Sequence, residues 1–301
     1  MSRFDLHMHS NASSDGEFTP AELIEIAKDR NMETIALTDH DTVENVREIQ
    51  KEAQKAGIEV IRGIEVSTNM GEQGVHLLGY GIDLDNPWLN SLKSGIKEKM
   101  LDVFYKRAEL LKKKYGLEFD AREIVEKSNG NNPWFDLMNS LFASPIAETI
   151  EDFQDYRPGG KRSSPAPVNF FWDKCQPGSD LYVPVSNPDL FEAIDRVHEA
   201  GGLAIIAHPF RTFYQKPELL EKLIEAGIDG LEAYSNYHTP EMNEWYRQFA
   251  QDHDLLVTCG SDFHGKNKPD IVMGEYHIDR DGTPYLEAFK AALDSRIQKS
   301  K

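Results

Sequence analysis

Cysteine is nearly absent from this chain: Cys175 and Cys259 are the only two among 301 residues, and no Cys-x-x-Cys pair occurs. A disulfide framework and a zinc finger are thereby excluded, and a reducing cytoplasm is the expected compartment. Long hydrophobic runs are lacking as well. None approaches the roughly 18 apolar residues of a bilayer span, and the N-terminus enters a strand directly, so neither a membrane span nor a cleaved signal is expected. Positive charge is scarce: 33 Lys and Arg stand against 51 Asp and Glu, a formal charge of −18. Broad binding to duplex DNA is not expected of such a chain, whereas clustered carboxylates commonly serve bound cations. Internal repeats, low-complexity segments and a Gly-x-Ser-x-Gly nucleophile context are also missing. What is present is the composition of a soluble globular protein, 28% charged and 40% hydrophobic, long enough for one α/β barrel or two domains.

The chain is organised around Phe4-Asp5-Leu6-His7-Met8-His9-Ser10, an alternating run that predicts a strand. Side chains two apart leave a strand on one face, so Asp5, His7 and His9 point one way and Phe4, Leu6 and Met8 the other. Two imidazoles on one face can hold a metal ion, with Asp5 as an acceptor that orients a ring. The pair alone is equally readable as surface or satisfied core histidines. Further along, Thr19-Pro20-Ala21-Glu22 has the form of a helix start with a capping box. Strands at 34–38, 59–66 and 75–80 alternate with a helix over 43–56 that Gly57 closes. After an interruption the rhythm resumes, with strands at 203–207, 230–234 and 255–258 between helices at 188–200, 217–226, 240–253 and 284–298. This spacing predicts βαβ units and a parallel sheet.

The interruption begins near Pro87. Residues 92–115 predict a long amphipathic helix carrying Lys93, Lys97, Lys99, Lys106, Arg107, Lys112, Lys113 and Lys114 against Glu98, Asp102 and Glu109. Such a helix is either a solvated face or a cap that attracts an anionic substrate. Asn129-Gly130 and Pro158-Gly159-Gly160 mark loops. We read 88–183 as a mostly helical insertion folded over the barrel mouth, and 1–87 with 184–301 as the barrel domain.

Strand after strand ends in a potential metal ligand: His7 and His9, His40, Glu65, His76, His208, then Asp262 and His264, with Asp15 close behind the first strand. In a parallel barrel these ends meet at one face, where active sites sit. His198 and His253 fall on predicted helices, and His238 and His277 in uninformative settings, so these four read as structural.

Asp5-Leu6-His7-Met8-His9-Ser10 with Ser14-Asp15-Gly16, Thr38-Asp39-His40-Asp41, Gly63-Ile64-Glu65, Ala207-His208-Pro209 and Gly260-Ser261-Asp262-Phe263-His264 resemble, in matching order, the motif set of the polymerase and histidinol phosphatase (PHP) family. The chain is most similar to its small stand-alone phosphoesterases. That resemblance implies a distorted (β/α)7 barrel, a helical insertion after the fourth strand, and two or three divalent ions of manganese, iron or zinc. It implies activity on nucleotide phosphates such as nucleoside 3′,5′-bisphosphates, AMP or short 5′-phosphorylated oligonucleotides, short RNA included. Carried over residue by residue, it puts His7, His9, Glu65 and Asp262 around one metal, Glu65, His76 and His208 around a second, and Asp15, His40 and His264 around a third. Mixed imidazole and carboxylate donors accept all three metals. Adjacent ions lower the pKa of a shared water, hold the attacking hydroxide and clamp phosphoryl oxygens, so no side-chain nucleophile is needed. The insertion departs from the family: relatives often carry Arg-x-His near its middle, where Ser144-Pro145-Ile146 stands here.

A phosphate also needs cations beyond the metals. Arg211 follows His208-Pro209 closely enough to serve, and Arg157, Lys161 and Arg162 lie in the insertion. Trp134, Phe135, Phe170, Phe171 and Trp172 form either a base-stacking platform or the insertion's own core. Beside the phosphoesterase reading stand three others: a metal hydrolase of C–N bonds, a histidinol-phosphate-type phosphatase, and a catalytically silent metal-stabilised module. The first usually relies on a carboxylated lysine, and no Lys sits at a predicted strand end. Oligomeric state is not legible.

Overall fold

The computed structural model describes residues 3–128 and 132–299; the loop expected at Asn129-Gly130 lies outside the described residues. Seven strands, β1 (Phe4–Met8), β2 (Thr34–Leu37), β3 (Glu59–Met70), β4 (Gln73–Tyr80), β5 (Leu203–Ile206), β6 (Gly230–Ser235) and β7 (Leu256–Gly260), pair in chain order. The last returns to the first: Met8 bridges Phe263, the His9 amide donates to the Phe263 carbonyl at 2.9 Å, and the Asp262 amide donates to the His7 carbonyl at 2.9 Å. The result is the α/β barrel that the resemblance implies. All five β1 residues are buried, with the Phe4, Leu6 and Met8 side chains in the continuous core. Thr19 and Glu22 form the expected capping box on helix Pro20–Asp29, and Gly57, at φ 71°, ends helix Val46–Ala56.

One expectation is overturned. The sheet is not parallel throughout: β4 runs antiparallel to both β3 and β5. β3 continues to Met70 and turns back through Gly71, at φ 63°, and Glu72 into Gln73. A two-residue connection can join only antiparallel strands, because a parallel pair needs a crossover of a dozen residues or more. His76 therefore lies within the first half of β4 rather than at its C-terminal end. Reversal of the strand is what brings it level with Ser67, two residues past Glu65.

Two compact units are found. The first comprises the barrel up to Lys93, Asn187–Lys266 and the chain from Ile271 onward. It includes helix Pro87–Leu92, because Leu89 is fully buried in the barrel core and Trp88 and Leu92 pack against it. The second comprises Ser94–Ser186 with Asn267–Asp270. It holds helices Ile96–Tyr115, Ala121–Lys127, Pro133–Ala143 and Ala166–Lys174 around its own core of Phe104, Leu111, Met138, Phe142, Phe153 and Phe170. Phe170, packed on Phe142, Phe153 and Tyr156, is core and unavailable to a base.

On the basic helix, of the two alternatives the ion pairs fit a solvated face. Lys106 pairs with Asp102 at 2.6 Å, Lys112 with Glu109 at 2.8 Å and Lys114 with Asp180 at 3.0 Å, while Lys99 donates to the Ser186 carbonyl. Arg107 is buried. Exposed pairs of this kind contribute little to stability. In the same unit Arg157 pairs with Glu148 and Arg162 with Asp173.

Candidate metal centre

Glu65 is the hub. Its carboxylate is fully buried and faces five imidazoles. Oε1 lies 2.9 Å from His76 Nδ1 and 3.0 Å from His208 Nε2. Oε2 lies 3.2 Å from His7 Nε2, 3.1 Å from His9 Nε2 and 3.2 Å from His40 Nδ1. Asp262 Oδ1 closes the same space from β7's end, 3.1 Å from His7 Nε2 and 3.0 Å from His9 Nε2. Asp15 Oδ2 stands 3.3 Å from His264 Nε2 and 3.8 Å from His40 Nε2. Three groups thus have ligand atoms within 4.8 Å of one another: His7, His9, Glu65 and Asp262; His40, Glu65 and His76; and His9, Asp15, His40 and His264. Every ligand expected from the sequence is in this cluster. His9 appears in two of the groups, and His40 approaches Glu65 more closely than the resemblance implied.

Divalent ions fit these residues. His7 Nε2, His40 Nδ1 and Glu65 Oε2 are buried and, despite their closeness, make no hydrogen bond. Buried polar atoms that face one another in this way need a shared partner, and imidazole with carboxylate is a donor set for zinc, iron or manganese. Electrostatics point the same way. Burial pushes His7 down, but Glu232, Glu65 and Asp262 outweigh it and hold the imidazole well above its usual range. Likewise burial is overcome at His9, which Asp262 and Glu65 push up to about 9. Burial raises Glu65, yet His40, His7 and His76 hold it well below the usual carboxylate range. The carboxylates thus favour positive charge at their centre.

A second layer orients the imidazoles. Glu232 Oε1 is 2.9 Å from His7 Nδ1, and Oε2 accepts the His208 amide at 2.8 Å. Asp5 was expected in this role. Asp5 instead accepts from the Ser261 amide and hydroxyl, the Gly274 amide and the His7 amide, tying β1 to the segment after β7. Burial pushes the Asp5 carboxyl up to about 6 against those bonds. Ser13 Oγ gives its single proton to Asp39 Oδ1 at 2.9 Å. It must then accept from the His40 amide, at 2.8 Å, and from His9 Nδ1, at 3.1 Å. That count leaves the lone pair of neutral His9 on Nε2, facing Glu65 and Asp262. Tyr237 donates to Asp262 Oδ2 at 2.5 Å, while Oδ1 of that carboxylate faces His7 and His9.

Sequence reasoning missed Glu232, Ser13 and Tyr237. Only Glu232 left a signal, a carboxylate inside an otherwise apolar strand. Arg211 is exposed, its guanidinium 5.4 Å over the Phe210 ring. Phe210 stacks on Tyr237 at 5.2 Å, and Tyr237 stands edge-on to His208 at 5.4 Å. His198 is not the plain helix-surface residue expected. It is half-buried and bonds Asp229 at 2.8 Å, which also takes the Ala204 amide and Arg296. His238 is buried against Tyr246, and His253 and His277 are exposed.

Gly260 shows how tightly this layer is packed. A Cβ there would stand 2.3 Å from His7 Cβ and 2.4 Å from Glu232 Oε1. Gly260→Ala must therefore push β7 from β1, and we expect it to lower stability by about 2 kcal/mol, within the range for overpacked cores. Denaturant titration alongside metal analysis checks this: bound metal should fall with stability.

The fold and centre are those of the metal-dependent phosphoric ester hydrolases. The PHP domain model matches residues 5–150, and a 3′,5′-nucleoside bisphosphate phosphatase of Chromobacterium violaceum is 32% identical over 99% of this chain and 98% of its own. The chain belongs to the PHP family. A 5′-3′ exoribonuclease of Haemophilus influenzae is 31% identical over 87% of this chain and 90% of its own. Among solved structures, a C. violaceum protein described as an amidohydrolase, with bound sulfate, superposes with a TM-score of 0.72 at 28% identity, covering 96% of this chain and 97% of that one. A metal-dependent phosphoesterase structure from Bifidobacterium adolescentis gives 0.70 at 26% identity, covering 96% of each. Among the described residues no helix is long and apolar enough to cross a membrane.

Proposed function

We propose that this protein hydrolyses phosphate monoesters of small nucleotides, among them nucleoside 3′,5′-bisphosphates, AMP and the 5′ ends of short RNA. The observation that carries the reading is the convergence of six imidazoles on the three carboxylates of Glu65, Asp262 and Asp15. His7, His9, Glu65 and Asp262 would hold one divalent ion; Glu65, His76 and His208 a second; and His40, His264 and Asp15, with His9 at their side, a third. Manganese, iron or zinc bound there supplies an acidified water and Lewis acidity at the phosphoryl oxygens. Glu232 and the Ser13–Asp39 pair hold His7 and His9 in the tautomer that presents Nε2 to the ion. Tyr237 keeps Asp262 turned inward. Arg211 supplies a positive charge for the phosphate, and Phe210 beside it offers an apolar surface to the rest of the ester.

A C–N hydrolase of related barrel type would rely on a strand lysine, and none of the seven strands contains one. The test is metal analysis coupled to a phosphate-release screen over nucleotides, sugar phosphates and amide substrates. Two or three divalent ions per chain and phosphate release are expected, with activity lost on exhaustive chelation and restored by manganese, iron or zinc. Full activity in metal-free protein would overturn the proposal.

A further inference from the structure

Among its described residues, the second unit contains a buried cation without a carboxylate partner. Arg107, in the middle of helix Ile96–Tyr115, is only 7% exposed. Its guanidinium carbon lies 5.1 Å over the Trp134 ring and 5.0 Å over the Phe171 ring. Its Nε is enclosed without a hydrogen-bond partner, and no ion pair reaches the guanidinium from the described residues. Burial draws its pKa down, with Cys175 the neighbour that opposes. Cys175 supplies no anion at neutral pH, since burial pushes its thiol up to about 11.

Burial sets Arg107 apart within its own unit. Several cations there have carboxylates, Arg157 with Glu148, Arg162 with Asp173, Lys174 with Asp152 and Lys114 with Asp180, and those without one, such as Lys113 and Arg122, are exposed. A buried guanidinium is normally paired, because desolvating it without a partner is expensive. Two aromatic faces recover part of that through cation–π attraction, but they offer no acceptor to the enclosed Nε. A planar fork of five donors held rigid between rings matches the oxygens of a phosphate, which it can engage with two parallel bonds.

We propose that Arg107, with Trp134 and Phe171 as its walls, is an oxyanion site of the second unit that takes a phosphoryl group. The inference is independent of the reaction assigned to the barrel. Equilibrium dialysis of the full-length, metal-loaded protein against inorganic phosphate tests it, with metal content and circular dichroism recorded on each sample. The number of phosphates bound per chain is expected to fall by one in Arg107→Met while bound metal stays the same. An unchanged number would overturn the proposal and leave Arg107 a packing residue. Should Arg107→Met fail to fold, Arg107→Lys keeps the charge and loses the fork. It should weaken that one class of sites at least tenfold, and equal affinity would count against the site. A parallel arm with AMP names the source: tighter binding than phosphate at the class lost in Arg107→Met assigns a nucleotide, and equal binding assigns free phosphate.

Discussion

Glu65→Gln is expected to abolish phosphate release, by at least about a thousandfold, and to strip most of the bound metal. Glu65 is fully buried and each of its oxygens faces two or three imidazole nitrogens. Glutamine keeps the shape, removes the charge and turns one oxygen into a donor. If the amide nitrogen takes the Oε2 position it faces His7, His9 and His40; if it takes Oε1 it faces His76 and His208. Either orientation sets a donor where a cation would sit, and loss of one partner in a buried charge cluster costs about 3–5 kcal/mol. His198→Ala is the control. The Asp229 carboxylate would still hold Ala204 and Arg296, so the variant should lose some stability and keep its metal and its activity within a few-fold. Elemental analysis and turnover on both variants decide the matter: equal metal loss in the two would remove Glu65 from the centre of the site.

Which parts were legible follows from what each element needs. Ligands on parallel strands announce themselves because strand ends are few and His, Asp or Glu recur there: His7 and His9 on β1, His40 after β2, His208 after β5, Asp262 and His264 after β7. The β3–β4 hairpin was legible in principle. Between Val66 and Val75 there is no room for a crossover helix, and Asn69-Met70-Gly71-Glu72 offers a turn; the βα rhythm on either side obscured it. Apart from the carboxylate that Glu232 places inside β6, the layer behind the ligands was not legible, because an orienting acceptor is chosen by three-dimensional reach. Asp5 and Glu232 are both carboxylates on inward-facing strand positions, yet only Glu232 reaches an imidazole. Helical periodicity could not show that Arg107 faces inward while Lys106 and Lys112 remain at the surface, since a long basic side chain suits either face of such a pattern.

Glu232→Gln carries the second large effect, because nothing about the residue marks it as a ligand. Both groups that Glu232 serves are donors: the His208 backbone amide to Oε2 and the His7 ring Nδ1–H to Oε1. A glutamine has one oxygen and one amino group and cannot accept on both sides. Set toward His208, its oxygen leaves an N–H facing His7 Nδ1, which then must accept. The imidazole proton moves to Nε2 and points at Glu65 and Asp262, where the ion would be bound. Set toward His7, the oxygen keeps the right tautomer but leaves the buried His208 amide facing a donor, which disturbs a residue already held at φ 24°. Loss of an orienting acceptor typically costs about 10–100-fold in metal affinity or activity. The expected result is therefore weaker metal binding in competition with a chelator, with turnover recovering as metal is added in excess. Glu232→Asp should not rescue, since the shorter side chain cannot span both donors. In metal-free Glu232→Gln protein, observed by NMR at a pH where the His7 ring is neutral, the imidazole should carry its proton on Nε2 in place of Nδ1. An Nδ1–H spectrum and wild-type metal affinity in Glu232→Gln would show that His7 is oriented by the strand alone.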